Sequence, residues 1–169
     1  HFEIVFAHPI AGREKIGIEY SDEAIFRDAN FVITPLTSNT DDALNLIETL
    51  AKQMGFKNVS RLGDKAHDEI IAFTSQLTHA IAIALVNSDT EKYDTSLFIG
   101  DSYKDLTRIA MINHKLWAEL FLKNRDNLLN TIQLFEDNLD ILKDALSNQN
   151  ISKLYQIMES ATNKRKKIG

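Results

Sequence analysis

Asp64-Lys65-Ala66-His67-Asp68-Glu69-Ile70-Ile71-Ala72-Phe73-Thr74-Ser75-Gln76-Leu77-Thr78-His79-Ala80-Ile81-Ala82-Ile83-Ala84-Leu85 is the stretch on which the fold turns. Ile70, Ile71, Leu77, Ile81 and Leu85 recur at helical spacing, and the apolar face they make is broad enough for a buried position. Upstream of Asp64 the pattern mixes strands and helices. Phe2 to Ala7 reads as a strand ended by the break His8-Pro9, and Asn30 to Pro35 as a second strand. Thr40 to Met54 reads as an amphipathic helix stopped by Gly55, and Lys57 to Leu62 as another short strand. Downstream everything is helical: Ser102 to Met111, Lys115 to Asn124, Arg125 to Leu146 and Ser152 to Thr162 contain no proline and no interior glycine. The expected fold class is an α/β remnant over residues 1–63 followed by an all-α helical domain over 64–169.

The chain lacks an initiator methionine and opens on a strand that cannot be stable without neighbours, which predicts a piece of a longer protein. The basic run Asn163 to Lys167 reads as a solvated or frayed tail, or as a linker. Residues of hydrophobic type make up 44% and charged ones 25%, an ordinary globular balance. With 19 basic against 24 acidic residues the formal net charge is -5, so no overall positive field exists to hold a nucleic-acid backbone, and no nucleic-acid partner is expected. The absence of cysteine removes disulfides, thiolate metal sites and cysteine nucleophiles together, and fits a cytoplasmic protein. The longest apolar run, Ala80 to Val86, is far short of the roughly 20 residues of a membrane span, so no membrane partner is expected.

Three constellations could carry chemistry. His8-Pro9-Ile10-Ala11-Gly12-Arg13-Glu14-Lys15 follows the opening strand, and ligands of open α/β sheets bind outside strand ends; a turn whose histidine faces water reads equally from these residues. On the long helix, at 100° per residue, Asp68, Ala72, Ser75 and His79 fall on one narrow stripe, which leaves room for a ligand. The alternative is a buried histidine bonded to a helix carbonyl or to Ser75. His67 and His79 stand about 18 Å apart along a straight helix and cannot ligate one metal. His67-Asp68 is also the core pattern of HD-type metal hydrolases, but no other histidine-rich helix supplies further ligands. Finally, Gly100 precedes a helix with Asp105 and Arg108 three apart, either a surface ion pair or a guanidinium poised for an anion. Trp117, the only tryptophan, suits a core or a subunit interface.

Taken together, His8-Pro9-Ile10-Ala11-Gly12, Ala66-His67-Asp68, Ser75-Gln76-Leu77-Thr78-His79 and Lys104-Asp105-Leu106-Thr107-Arg108-Ile109-Ala110 resemble the prephenate dehydrogenase family in order and spacing. The resemblance weakens after about residue 147. It implies the C-terminal part of a Rossmann-type nucleotide-binding domain over 1–63 and a helical dimerisation and substrate-binding domain over 64–169. The implied enzyme oxidatively decarboxylates prephenate to 4-hydroxyphenylpyruvate in tyrosine biosynthesis, as a homodimer, with NAD as cofactor. NADP stays open, because the glycine-rich phosphate loop and the residue that reads the ribose are not in this sequence. His8 matches the catalytic histidine, Arg108 the arginine that binds substrate carboxylate, and His79, beside Ser75, a second substrate-site histidine. Glu14 and Asp105 match acids that form a gating ionic network with Arg108. Trp117 matches a tryptophan that reaches the pocket from the partner subunit.

Gln76 and Thr78 stand where many relatives have histidine and proline, Arg13 where some have threonine, and Asp101-Ser102 replaces a glycine-rich pair. The same residues admit arogenate dehydrogenase, and the visible chain alone would also suit a non-catalytic helical dimerisation module. A related 2-hydroxy-acid dehydrogenase would use a lysine on the long helix, and there is none between His67 and Asp89.

Overall fold

The computed structural model describes residues 2–12 and 17–168. Two compact units make up the chain, His1–Arg125 and Asp126–Gly169.

The first unit is built on three strands, β1 (Phe6–Ile10), β2 (Asn30–Thr34) and β3 (Asn58–Arg61), in the order β1-β2-β3. β2 and β3 are parallel and joined by helix α1 (Asp41–Gln53), whereas β1 pairs antiparallel to β2 with His8 opposite Val32. Neighbouring residues of a strand point to opposite faces, so burial of both Val32 and Ile33 means that the central strand is covered on both. On the Phe31 and Ile33 side the Phe56 ring packs against Phe31 and Phe26. The opposite face carries Val32 and its cross-strand neighbour His8, and helix α2 (Asp64–Ile71) lies over it. α1 starts at Thr40, whose hydroxyl accepts from the Ala43 amide, and ends at Gly55, whose φ of 97° is the left-handed stop expected there.

The opening strand lies later than expected. Residues 2–5 are unpaired; Glu3 accepts from the amide and hydroxyl of Thr40, and Asn39 donates to the Ile4 carbonyl, so this segment is tied to the start of α1. His8-Pro9 falls inside β1 instead of ending it. A residue before proline prefers extended backbone, and an edge strand tolerates the missing N–H, so the pair that looked like a break is compatible with this strand.

α2 continues through a π turn (Ala72–Gln76) into α3 (Leu77–Asn87). As one helix Asp64–Asn87 has 24 residues and a mean hydropathy of 1.5 over its most apolar window, long and apolar enough to cross a membrane by those measures. The sequence expectation counted only unbroken apolar runs and is corrected on that point; the core helix of a soluble protein passes the same measures, and Ala72, Leu77 and Ala82 are buried here. The π turn also unsettles the stripe drawn at 100° per residue, because a wider turn winds each residue through a smaller angle.

α4 (Asp101–Thr107) tightens into a 3-10 turn over Arg108–Ala110, where one helix through Met111 was expected, and α5 (His114–Lys123) follows, capped by Asn113. In the second unit α6 (Arg125–Ser147) and α7 (Ile151–Lys166) are joined by a turn in which Gln149 has φ 49°. α7 runs on to Lys166, so most of the basic run is an exposed last turn of helix, with its cations at the favourable end of the dipole.

Candidate active site

His8 is the half-buried position of a strand whose other residues are exposed. Its Nδ1 lies 2.9 Å from Nε2 of His67 on α2, with the rings 5.2 Å apart and inclined at 59°. His67 Nδ1 is in turn 2.9 Å from the Asp68 carboxylate. Burial pushes the His8 pKa below its ordinary value, and the neighbouring His67 adds to the shift by opposing a second positive charge. His8 is thereby a neutral imidazole at neutral pH, able to accept a proton. It lines an open pocket of about 400 Å³ together with Phe6, Ala7, Thr34, Leu36, Asp64, His67 and Asp68.

A second group forms further along the helix. His79 Nδ1 donates to the Ser75 carbonyl at 2.9 Å, and the Thr78 hydroxyl donates to the same oxygen at 2.6 Å. The contact between Ser75 and His79 is thus through the backbone and not the serine hydroxyl. Trp117 of α5 stacks on His79, with ring centroids 3.6 Å apart and 27° between the planes, and meets Phe121 edge-on. Trp117, which the resemblance implied as reaching the pocket of a partner subunit, lies against His79 within this chain. α3 also packs against α4 and against the turn that carries Arg108. Asp105 sits on α4 and Arg108 opens the following 3-10 turn, both exposed. Glu14 and Arg13 lie outside the described residues.

Two features escaped the sequence reading. His67 reads from the sequence as a possible metal ligand and as part of a family motif, without a partner, whereas its partner comes from a strand 59 positions earlier. Gln76, at a departure from the family pattern, is buried; its amide donates to the Leu120 carbonyl, while its oxygen accepts from Asn124, which also donates to the Asp68 carbonyl. These bonds fix the end of α5 against the π turn and the residue that holds His67. No sequence signal pairs a glutamine with an asparagine so far along the chain.

Residues 1–60 match the family described as "Prephenate dehydrogenase, nucleotide-binding domain", and residues 63–160 match "Prephenate dehydrogenase, dimerization domain". The chain belongs to the prephenate dehydrogenase family. It is 29% identical over 151 residues to the cyclohexadienyl dehydrogenase of Zymomonas mobilis, covering 86% of this chain and 51% of that protein. It is 23% identical over 168 residues to the prephenate dehydrogenase of Bacillus subtilis, covering 97% and 45%. The chain therefore spans about half the length of the curated relatives it matches. Among solved structures, prephenate dehydrogenase from A. aeolicus in complex with hydroxyphenyl propionate and NAD+ superposes with a TM-score of 0.86 at 31% identity, covering 98% of this chain and 59% of that one. An α/β remnant followed by a helical domain is thus the fold of this prephenate dehydrogenase family member.

Proposed function

We propose that the full-length protein is a cytoplasmic, homodimeric prephenate dehydrogenase, with residues 1–63 closing its nucleotide-binding domain and 64–169 forming its dimerisation and substrate-binding domain. The observation that carries this reading is His8, a half-buried histidine kept neutral and set in the wall of a pocket. Imidazole is the group suited to take a hydroxyl proton near neutrality. The reaction removes hydride from the ring carbon that bears the hydroxyl. NAD supplies the acceptor for that hydride when bound. No residue of this chain is assigned to hold it: the sequence contains no Gly-x-Gly-x-x-Gly, and among the described residues no lysine or arginine lines the pocket beside His8 to meet a pyrophosphate. His8 takes the hydroxyl proton as hydride leaves and returns it to the ring oxygen as the ring carboxylate departs as carbon dioxide. There is no net proton change, and aromatisation drives the sequence forward.

The charged groups beside His8 are the carboxylates of Asp64 and Asp68, so that wall does not hold a dianion. We assign the carboxylate to Arg108, whose planar fork suits it, and the far side of the substrate to His79 and Trp117, with Glu14 and Asp105 as the acids that set the arginine in place. An assay of the full-length protein with prephenate and arogenate against NAD and NADP tests the reading. Prephenate with NAD is expected to yield 4-hydroxyphenylpyruvate and carbon dioxide. Turnover of arogenate alone would move the substrate assignment, and turnover of neither would overturn the activity.

The helical apolar surface supports the homodimer. Leu134, Phe135, Leu139, Ile141, Tyr155 and Met158 of α6 and α7 are all exposed in the single chain. Sedimentation of this chain at micromolar concentration is expected to show a dimer. A monomer with native circular dichroism would remove the homodimer from the reading.

A further inference from the structure

We propose that His67 and Asp68 are positioning residues that fix the tautomer of His8, leaving its Nε2 as the nitrogen that accepts the proton. This rests on the reading of His8 as the base. The assignment follows from what each atom can do. Asp68 is largely exposed, and a carboxylate can only accept. His67 Nδ1, 2.9 Å away, must therefore carry hydrogen. A neutral imidazole has one N–H, so His67 Nε2 holds a lone pair. That lone pair lies 2.9 Å from His8 Nδ1, which must then donate. His8 is left with its own lone pair on Nε2. The order runs carboxylate, imidazole, imidazole, and each member sets the next.

The same chain can be inverted. When His67 takes a proton, both of its nitrogens donate, and His8 Nδ1 can meet it only as an acceptor. The hydrogen of a neutral His8 then moves to Nε2, and the ring loses the ability to take the substrate proton although it carries no charge itself. A single proton on His67 is enough to switch His8 off. A positive charge on one ring opposes a charge on the other across the hydrogen bond, which adds to the larger effect of burial in lowering the His8 pKa. The surroundings add few other charges. β1 offers Phe6 and Ala7, β2 offers Thr34, Leu36 follows it, and α2 offers Asp64 and Asp68, the acidic groups that line this pocket among the described residues. The backbone of Asp68 is itself held, by the Asn124 amide at 2.8 Å.

Nitrogen-15 NMR of the histidine-labelled full-length enzyme at neutral pH reads the tautomer directly and needs no substrate. His8 is expected to show a protonated Nδ1 and a bare Nε2, and the reverse pattern would overturn the proposal. Kinetics supply the functional half. In Asp68→Asn the amide can donate to His67 Nδ1 and invert the chain, so kcat is expected to fall about tenfold or more with KM within about twofold. His67→Gln offers a carbonyl oxygen that accepts from His8 Nδ1 and cannot itself protonate. It should keep most of kcat, because the acceptor that holds the hydrogen on His8 Nδ1 is retained. A kcat in His67→Gln as low as that of Asp68→Asn, or an unchanged kcat in Asp68→Asn, would also overturn it. Failure of the underlying reading looks different: His8→Asn would then retain kcat whatever the tautomer.

Discussion

Replacing His8 by asparagine is expected to lower kcat of the full-length enzyme by about 10²-fold or more while leaving KM within a few-fold. Asparagine keeps a polar side chain of similar reach on β1, so the strand and its pairing with β2 survive. What disappears is a lone pair that takes a proton as hydride departs, and that interaction belongs to the transition state. Removing it lowers kcat and kcat/KM together, the signature that separates proton transfer from substrate binding. The pH dependence follows from the direction of the His8 shift. Because burial depresses its pKa from 6.5, the folded protein binds this proton less readily than the unfolded chain. Stability from this site is therefore complete above about pH 6.5 and declines as pH falls toward and through the folded pKa. A kcat near wild type across neutral pH would make His8 a structural histidine and remove the base.

Arg108→Gln is expected to raise KM about 10- to 100-fold with a smaller effect on kcat. The loss of a charge-assisted, bidentate contact to a carboxylate corresponds to roughly 1.5 to 3 kcal/mol. Lysine at the same position should restore only part of the affinity, since a point charge cannot reproduce a planar fork. The competing role is a surface pair with Asp105, three residues earlier where α4 gives way to the 3-10 turn. Both residues are exposed, and such a pair contributes a few tenths of a kcal/mol at most. Measuring KM and thermal stability on one variant separates the two. An unchanged KM with a slightly lowered melting temperature would sink the substrate role.

The strand-helix-strand unit around α1, its stop at Gly55 and the helical run from Asp64 were legible because each is a local matter. Hydrophobic period, caps and a glycine at positive φ act within a few residues of themselves. The candidate residues were legible for another reason: spaced motifs match a family even where no contact between them can be foreseen. Local rules misplaced His8, because they treat the residue before a proline as the end of a strand. Whether such a strand ends or continues depends on its being an edge, which is a property of the sheet. They also drew a regular stripe through Ala72–Gln76, where a π turn changes the winding.

By itself the sequence determined the class of the chain, an α/β segment leading into helices, and the residue types available for proton transfer and carboxylate binding. Tertiary structure alone decided which of them meet. His8 reaches His67 across 59 positions, Gln76 reaches Leu120 across 44, and Trp117 comes to rest on His79. Period and propensity report on neighbours along the chain. The identity of a hydrogen-bond partner on another element, such as His67 for His8, is set only when the sheet and the helix above it pack together.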